Sequence, residues 1–180
     1  MENKVLKIIK SRVSCRAYSE KKVSKAKVMA VAEAGKFAPS GMNRQIANIY
    51  VVNSKRNVEK LRRLSNEIRG KDCMYGASTI ILVAGPRDDR FTYQDCSCIL
   101  ENMFVAAHAL NLGSCWINQF DEFFQTKNGL KVKKALGIPE DFMVVGSCAL
   151  GYPALNAPLA VKDRKEDFIK VLCAVPCNGR

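Results

Sequence analysis

The chain has 180 residues, 48% of them hydrophobic and 26% charged, with a formal net charge of +12. This length and composition predict a single domain over residues 1–180 with an ordinary hydrophobic core, and they exclude disordered and fibrous classes. No apolar run approaches the roughly 20 residues that a membrane-spanning helix needs, and lysines interrupt the apolar residues at 4–10 where a signal peptide would be continuous, so we expect a soluble cytoplasmic protein that does not engage a membrane.

The first elements in chain order are two predicted helices. Residues 4–11 are amphipathic and lead into a segment that begins at Arg12. Ser24 is a suitable N-cap for a second helix, because the apolar residues after it follow helical spacing. That helix is expected to end near Ala38, since Pro39 disfavours the helical conformation in the residue before it.

The middle of the chain alternates between strands and helices. Apolar and β-branched runs predict buried strands at 49–52 and 79–84. Helical spacing of apolar residues predicts a basic helix at 56–69 and a long apolar helix at 92–111. Gly113 is expected to end the long helix as its C′ glycine.

Two further strands and one helix complete the predicted elements. The strands are expected at 114–117 and 143–150, and the helix at about 164–173, before a tail that contains proline. This order of elements predicts one sheet wrapped by helices.

Eight cysteines are present, but their spacing predicts neither a zinc site nor a disulfide framework. Cys96 and Cys98 lie two apart on a predicted helix, so their side chains point about 200° apart. Cys173 and Cys177 have no second pair at ligand spacing. We therefore expect no metal, and expect the cysteines to be small buried residues in a reducing compartment. His108 lacks a triad partner and is expected to be a hydrogen-bonded core histidine.

The positive charge is concentrated in the first part of the chain. Residues 1–71 contain 18 Lys/Arg and five Asp/Glu, whereas the rest is close to neutral. This charge favours an anion-binding surface, and a phosphate-bearing small ligand is preferred to nucleic acid because the basic part has few aromatic residues and no nucleic-acid motif.

The sequence lacks a Walker loop, a dinucleotide-binding glycine motif, and any recognisable nucleophile or acid–base motif. Either a bound cofactor supplies the chemistry, or the chain is a binding protein. The residues by themselves leave both possibilities open.

Three groups of motifs, in order, resemble the FMN-dependent nitroreductase family. Residues 12–18, Arg-Val-Ser-Cys-Arg-Ala-Tyr, are similar to its Arg-x-Ser-x-Arg/Lys-x-Phe/Tyr opening, and residues 39–45, Pro-Ser-Gly-Met-Asn-Arg-Gln, to its Pro-Ser-x-x-Asn-x-Gln segment. The later landmarks are Leu-Gly-Ser-Cys-Trp-Ile at 112–117, Leu-Gly-Ile-Pro at 136–139 and Leu-Gly-Tyr-Pro at 150–153. Their order and spacing over about residues 5–170 identify the chain as a short, single-domain member.

The resemblance implies the α+β nitroreductase-like fold, with a mixed, mainly antiparallel sheet flanked by helices. It also implies an intertwined homodimer that carries two FMN sites at its interface, with the C-terminal tail reaching the partner. The first group of cofactor-binding residues would hold the phosphate, the ribityl chain and the pyrimidine edge of FMN: Arg12, Val13, Ser14 and Arg16. Lys162 and Arg164 match a basic pair that grips the phosphate.

A second group of residues is implied to reach the flavin from the other subunit. Its members are Pro39, Ser40, Gly41, Asn43 and Gln45. Asn118 and Gln119 stand where a Glu-Gly pair is common in longer members, in the stretch whose backbone approaches flavin N5 and O4.

The activity that the resemblance implies is FMN-dependent oxidoreduction. NADH or NADPH would give hydride to flavin N5 and leave, and a small acceptor such as a nitroaromatic or quinone would then take the electrons. No side chain is implied as a catalyst. A flavin or enone reductase on the same scaffold is an alternative, and so, from another class, is a non-catalytic flavin-binding or nucleic-acid-binding protein.

Overall fold

The computed structural model describes residues 3–171. The helices and strands within this range are α1 (Lys4–Ser11), α2 (Lys25–Lys36), β1 (Asn48–Val52), α3 (Lys55–Arg69), β2 (Thr79–Pro86), α4 (Thr92–Ala109), β3 (Gly113–Ile117), α5 (Phe120–Phe124), α6 (Lys127–Ala135) and β4 (Phe142–Gly151). Short 3₁₀ turns lie at Gly41–Asn43 and Glu166–Phe168. In the described part of the chain, no helix combines the length and the apolar character that crossing a membrane requires.

The four strands form one sheet in the order β1-β2-β4-β3, and each neighbouring pair is antiparallel. A parallel bridge between Ser14 and Ser114 adds the chain after α1 to the edge at β3. The prediction of a mixed, mainly antiparallel sheet flanked by helices is therefore confirmed.

The sheet separates two hydrophobic layers. Successive side chains of a strand point to opposite faces, so Ile80 and Leu82 of β2 enter the layer with α3 and α5, whereas Ile81 and Val83 enter the layer with α2 and α4. Because β2 and β4 are central, they are buried on both faces, which explains the continuous apolar runs at these positions in the sequence.

Local signals set most helix ends. The Ser24 hydroxyl accepts a hydrogen bond from the Lys27 amide, as expected for the N-cap of α2. The expectation that Gly113 ends α4 is wrong, because α4 ends at Ala109 and Asn111 takes the left-handed conformation with φ of 57°. Asparagine tolerates that region through its short polar side chain, which leaves Gly113 free to begin β3.

The region after β3 contains two helices that the sequence did not predict. Helix α5 has only five residues, too few for helical periodicity to be visible, yet Phe120, Phe123 and Phe124 are all buried. In α6 the ammonium of Lys133 is buried and donates to the carbonyl oxygens of Glu140 and Phe142 at 2.8 and 2.6 Å. That pairing offsets the cost of burying a charge and ties α6 to the start of β4.

The predicted helix at 164–173 does not form in its described part, residues 164–171, which contain one 3₁₀ turn. Phe168 and Ile169 are 83% and 80% exposed. A short amphipathic segment gains most of its helical stability by packing its apolar face, and within the described chain these side chains have no such surface. Residues 172–180, with Cys173, Cys177 and most of the hydrophobic tail, lie outside the described residues.

Candidate functional site

The segment from Arg12 to Arg16 lies along the edge strand β3. The Cys15 amide donates to the Ser114 carbonyl oxygen at 2.8 Å, next to the parallel bridge at Ser14. Gly113 permits this close approach, because a Cβ atom there would lie 2.7 Å from the Cβ of Cys15. The absence of a side chain at Gly113 therefore fixes where this basic segment sits.

The two arginines of the segment have different surroundings. The Arg12 guanidinium lies 3.5 Å from the Glu101 carboxylate and 5.8 Å from the centre of the Phe104 ring, both on α4. Arg16 is exposed, and no carboxylate among residues 3–171 lies within ion-pair distance of it. Arg16 can therefore bind an external anion without first breaking an ion pair within the described chain.

Two cysteine thiols and a tyrosine phenol pack beneath this segment, and all three stay neutral. Cys15 and Cys115 are buried, and the Tyr18 hydroxyl donates to the Ala149 carbonyl oxygen at 3.0 Å. Burial raises the pKa of both thiols and of the Tyr18 phenol. A thiol with a raised pKa is a poor nucleophile at neutral pH. We therefore assign these side chains a packing role beneath the segment.

The prediction of buried cysteines is confirmed for those in the described residues, since five of the six are buried and Cys98 is half-buried. Burial raises the pKa of Cys96 to about 12. His108 is hydrogen-bonded as expected, with its Nε2 atom 2.8 Å from the Ser11 hydroxyl, but it is half-buried rather than part of the core.

The loop from Pro39 to Gln45 is the second group of candidate residues. It has positive φ angles at three non-glycine residues, Met42, Asn43 and Gln45. The Ser40 hydroxyl accepts the Gln45 amide at 3.2 Å, and the Asn43 side-chain oxygen accepts the Gln45 side-chain amide at 3.1 Å. The loop is thus a compact, internally bonded turn whose candidate side chains largely face outward.

Three residues at the N-terminal end of α4 hold this loop. The Gly41 amide donates to Oδ1 of Asp95 at 2.9 Å, and the same glycine packs so closely on Phe91 that a Cβ would lie 2.5 Å from the ring. Arg44 pairs with Asp89 at 2.5 Å. A cleft of about 320 Å³ lies beside the loop, bordered by Asp95 and by the end of α2.

Sequence reasoning did not select Asp95 or Phe91. A buried aspartate within a helix has no local pattern that distinguishes it from an exposed one. The close contacts of Gly41 and Gly113 were equally invisible, because they depend on residues about 50 and 100 positions away.

Asn118 and Gln119 follow β3 directly. Asn118 is exposed, and Gln119 is half-buried as the residue before α5. Four residues of extended chain, about 13 Å, separate Asn118 from Ser114. The edge strand therefore carries the arginine segment near one end and this pair at the other.

Lys162 and Arg164 are exposed in the irregular segment after β4. Within the described residues, no hydrogen bond or ion pair joins either of them to the other candidates.

The two main groups lie on different sides of α4. Arg12 contacts α4 at Glu101 and Phe104, whereas Gly41 contacts it at Asp95. Six residues of α-helix separate Asp95 from Glu101, which is roughly 9 Å along the axis and about 120° around it. The Arg12 segment and the Pro39–Gln45 loop therefore contact different parts of the α4 surface.

Comparison with known proteins agrees with the fold and the motifs. The family model described as "Nitroreductase family" matches residues 9–71 and 69–152. A curated relative from Archaeoglobus fulgidus, named "Putative NADH dehydrogenase/NAD(P)H nitroreductase", is 33% identical over 153 residues, which are 82% of this chain and 84% of that protein.

Two solved structures are similar over nearly the whole chain. A nitroreductase with bound FMN from Bacteroides fragilis is 33% identical, with a TM-score of 0.89 over 95% of this chain and 100% of that one. A nitroreductase with bound FMN from Desulfitobacterium hafniense is 26% identical, with a TM-score of 0.83 over 96% of this chain and 100% of that one.

Proposed function

The chain belongs to the nitroreductase family, and from that membership we propose that it is an FMN-dependent oxidoreductase that takes electrons from NADH or NADPH and passes them to a small acceptor such as a nitroaromatic or a quinone. The observation that carries the proposal is the similarity, at a TM-score of 0.89 and 33% identity, to a nitroreductase that binds FMN. The name of the Archaeoglobus relative supports a nicotinamide nucleotide as the donor.

The residues near β3 suit a phosphorylated ligand. A phosphate monoester carries about −1.5 to −2 charges at pH 7, and guanidinium groups can pair with its oxygens bidentately. Arg12, Ser14 and Arg16 are presented from one backbone segment, and Arg16 has no carboxylate partner among the described residues. We assign the phosphate, ribityl and pyrimidine contacts to these residues, with Lys162 and Arg164 joining the phosphate.

The placement of the two groups supports a site shared by two copies of the chain. The Pro39–Gln45 loop contacts a different side of α4 from Arg12, which is compatible with each FMN taking one group from each copy, as the family resemblance implies. Val5, Ile9 and Trp116 are large apolar side chains 60%, 49% and 38% exposed. A homodimer interface would remove such surface from water.

When bound, FMN supplies reversible two-electron chemistry at its isoalloxazine ring, so the side chains have to bind and orient it. Asn118 and Gln119 lie at the end of β3, where we assign their backbone to the ring edge. The raised pKa values of Cys15 and Cys115 argue against thiolate chemistry beside the ring. The protein would thus contribute by positioning the flavin and by stabilising its charge.

The experiment that tests the function begins with the cofactor. The purified protein should be yellow, and denaturation should release about one FMN per chain. Anaerobic addition of NADH or NADPH should bleach the flavin, and a nitroaromatic or quinone should restore its colour.

Recovery of FAD, or of no flavin after reconstitution with excess FMN, would refute the cofactor assignment. Bound FMN that neither nucleotide reduces would contradict the proposed donor and favour a non-catalytic flavin-binding protein.

A further inference from the structure

The loop from Pro39 to Gln45 depends on one buried carboxylate. Asp95 is 3% exposed, and among residues 3–171 it is the only Asp or Glu that is fully buried. It lies near the start of α4, and its Oδ1 accepts the amide of Gly41, 54 positions away in the chain. Its second oxygen, Oδ2, is buried with no hydrogen-bond donor among the described residues.

Burying the Asp95 carboxylate lowers the stability of the folded protein. Burial disfavours a carboxylate unless hydrogen bonds and opposite charges offset its lost hydration. The Gly41 amide and the positive end of the α4 dipole offset only part of that cost. The carboxylate gives the Gly41 amide an acceptor at a fixed position on α4 and so orients that amide.

The loop needs such a restraint because its backbone is strained. Met42 and Asn43 have φ of 55° and Gln45 has φ of 51°. Asparagine tolerates this left-handed region, whereas it is unfavourable for Met42 and Gln45. Hydrogen bonds within the loop offset part of this strain, and contacts from outside the loop supply the rest of the restraint.

The other two contacts come from residues just before α4 and restrain the loop less specifically. In the pair of Arg44 with Asp89 the side chains are 43% and 15% exposed, so solvent at the arginine weakens the pair. Phe91 packs against Gly41 and excludes a side chain there, but an aromatic ring does not orient the amide.

We propose that Asp95 is a positioning residue, which sets the conformation of the Pro39–Gln45 loop and thereby the placement of Ser40 and Asn43 against the flavin. The link to the flavin rests on the proposed function, whereas the link from Asp95 to the loop does not.

The first arm of the test measures the loop itself. Hydrogen–deuterium exchange of peptides covering the loop is compared in the full-length wild-type protein, Asp95→Ala and Asp95→Asn. Removing the acceptor should speed exchange of the Gly41 amide about tenfold or more, while the asparagine oxygen should keep it within about threefold of the wild-type rate. Asp95→Leu, which also lacks an acceptor but fills the buried space, replaces Asp95→Ala if that variant does not fold.

A matched control is Asn102→Ala. Asn102 also lies on α4, and its side chain also forms a hydrogen bond with a backbone atom of another element. Its Nδ2 atom donates to the Ala34 carbonyl oxygen of α2 at 3.2 Å, away from the loop. This variant should leave exchange in the loop unchanged. Equal exchange in wild type and Asp95→Ala overturns the proposal, and so does equally faster exchange in Asp95→Ala and Asn102→Ala.

The second arm measures FMN affinity by quenching of flavin fluorescence. Asp95→Ala should weaken binding about tenfold or more, with Asp95→Asn close to wild type and Asn102→Ala unchanged. A looser loop with unchanged FMN affinity overturns the placement of Ser40 and Asn43 against the flavin. Failure of the wild-type protein to bind FMN refutes the proposed function instead, and the exchange arm still decides whether Asp95 positions the loop.

Discussion

At the scale of single residues, Arg12 and Arg16 lie four positions apart but differ in burial and in their ion pairs. Arg12 is 22% exposed, close to Glu101 and over the Phe104 ring. Arg16 is exposed and unpaired among the described residues. Its charge is therefore the one most available to a ligand on β3.

Replacing Arg16 with Gln should lower the midpoint potential of bound FMN. Glutamine keeps hydrogen-bonding capacity but removes the charge that would stabilise the anionic reduced cofactor at its pyrimidine edge. A drop of some tens of millivolts is expected, since about 30 mV corresponds to 1.4 kcal/mol for two electrons. Anaerobic titration against a reference dye measures it.

Lys131→Gln is the control for this variant, because it removes one exposed charge from α6. Its midpoint potential should equal that of the wild type. An unchanged potential in Arg16→Gln would mean that Arg16 does not face the pyrimidine edge.

Changing Cys96 and Cys98 together to Ala should affect stability rather than turnover. Cys96 is fully buried with a pKa of about 12, and Cys98 is half-buried. The loss of buried volume should lower the free energy of unfolding by about 1–4 kcal/mol, as measured by urea denaturation. Loss of turnover at full flavin occupancy would instead indicate a redox role for the pair.

At the scale of elements, β3 joins the sheet to the candidate site. One edge of β3 pairs with β4, and the other accepts the Cys15 amide and the bridge from Ser14. The segment after α1 thereby becomes part of the sheet edge, and its position is as well defined as that of the strand.

Replacing Gly113 with Ala should displace this segment. The added Cβ would lie 2.7 Å from the Cβ and Sγ of Cys15, and 3.2 Å from Pro153. Such overpacking costs about 1–3 kcal/mol, and FMN affinity should fall with the stability. Urea denaturation and fluorescence titration measure the two effects.

The double variant Cys15→Gly, Gly113→Ala provides the control, since it removes the Cβ that causes the clash. Its destabilisation should be smaller than the sum of the two single effects, as expected for residues in direct contact. Simple additivity would count against the contact as the cause.

At the scale of the whole molecule, the open question is how one site is assembled. The Arg12 segment and the Pro39–Gln45 loop lie on different sides of α4. The proposed site shared by two copies predicts complementation between two defective chains.

Arg12→Glu and Asn43→Leu should each abolish FMN binding in a homodimer. In a mixed dimer, one site collects both lesions and the other collects neither. About one FMN per dimer and restored NAD(P)H-dependent turnover are expected after co-expression of two tagged chains and tandem purification. A mixed dimer as colourless as its parents would place each site within a single chain.

Much of the fold follows from local patterns in the sequence. Helices α1, α2 and α3 and the strands β1, β2 and β4 lie within a few residues of their predicted bounds, because amphipathic spacing, serine N-caps and buried β-branched runs act over short distances. The motifs at residues 12–18 and 39–45 could also be recognised from the sequence, and the family assignment that they implied is confirmed.

Other features were decided only by tertiary structure. Gly113 matters because Cys15 crosses it, and Asp95 because Gly41 lies against it. Helix α5, with only five residues, forms because three phenylalanine side chains are buried in the core. The predicted helix at 164–173 lacks a packing surface in its described part. The physical reason is the same in each case: burial, close contact and an oriented hydrogen bond all depend on a partner distant in the chain, and no pattern of neighbouring residues specifies which partner that is.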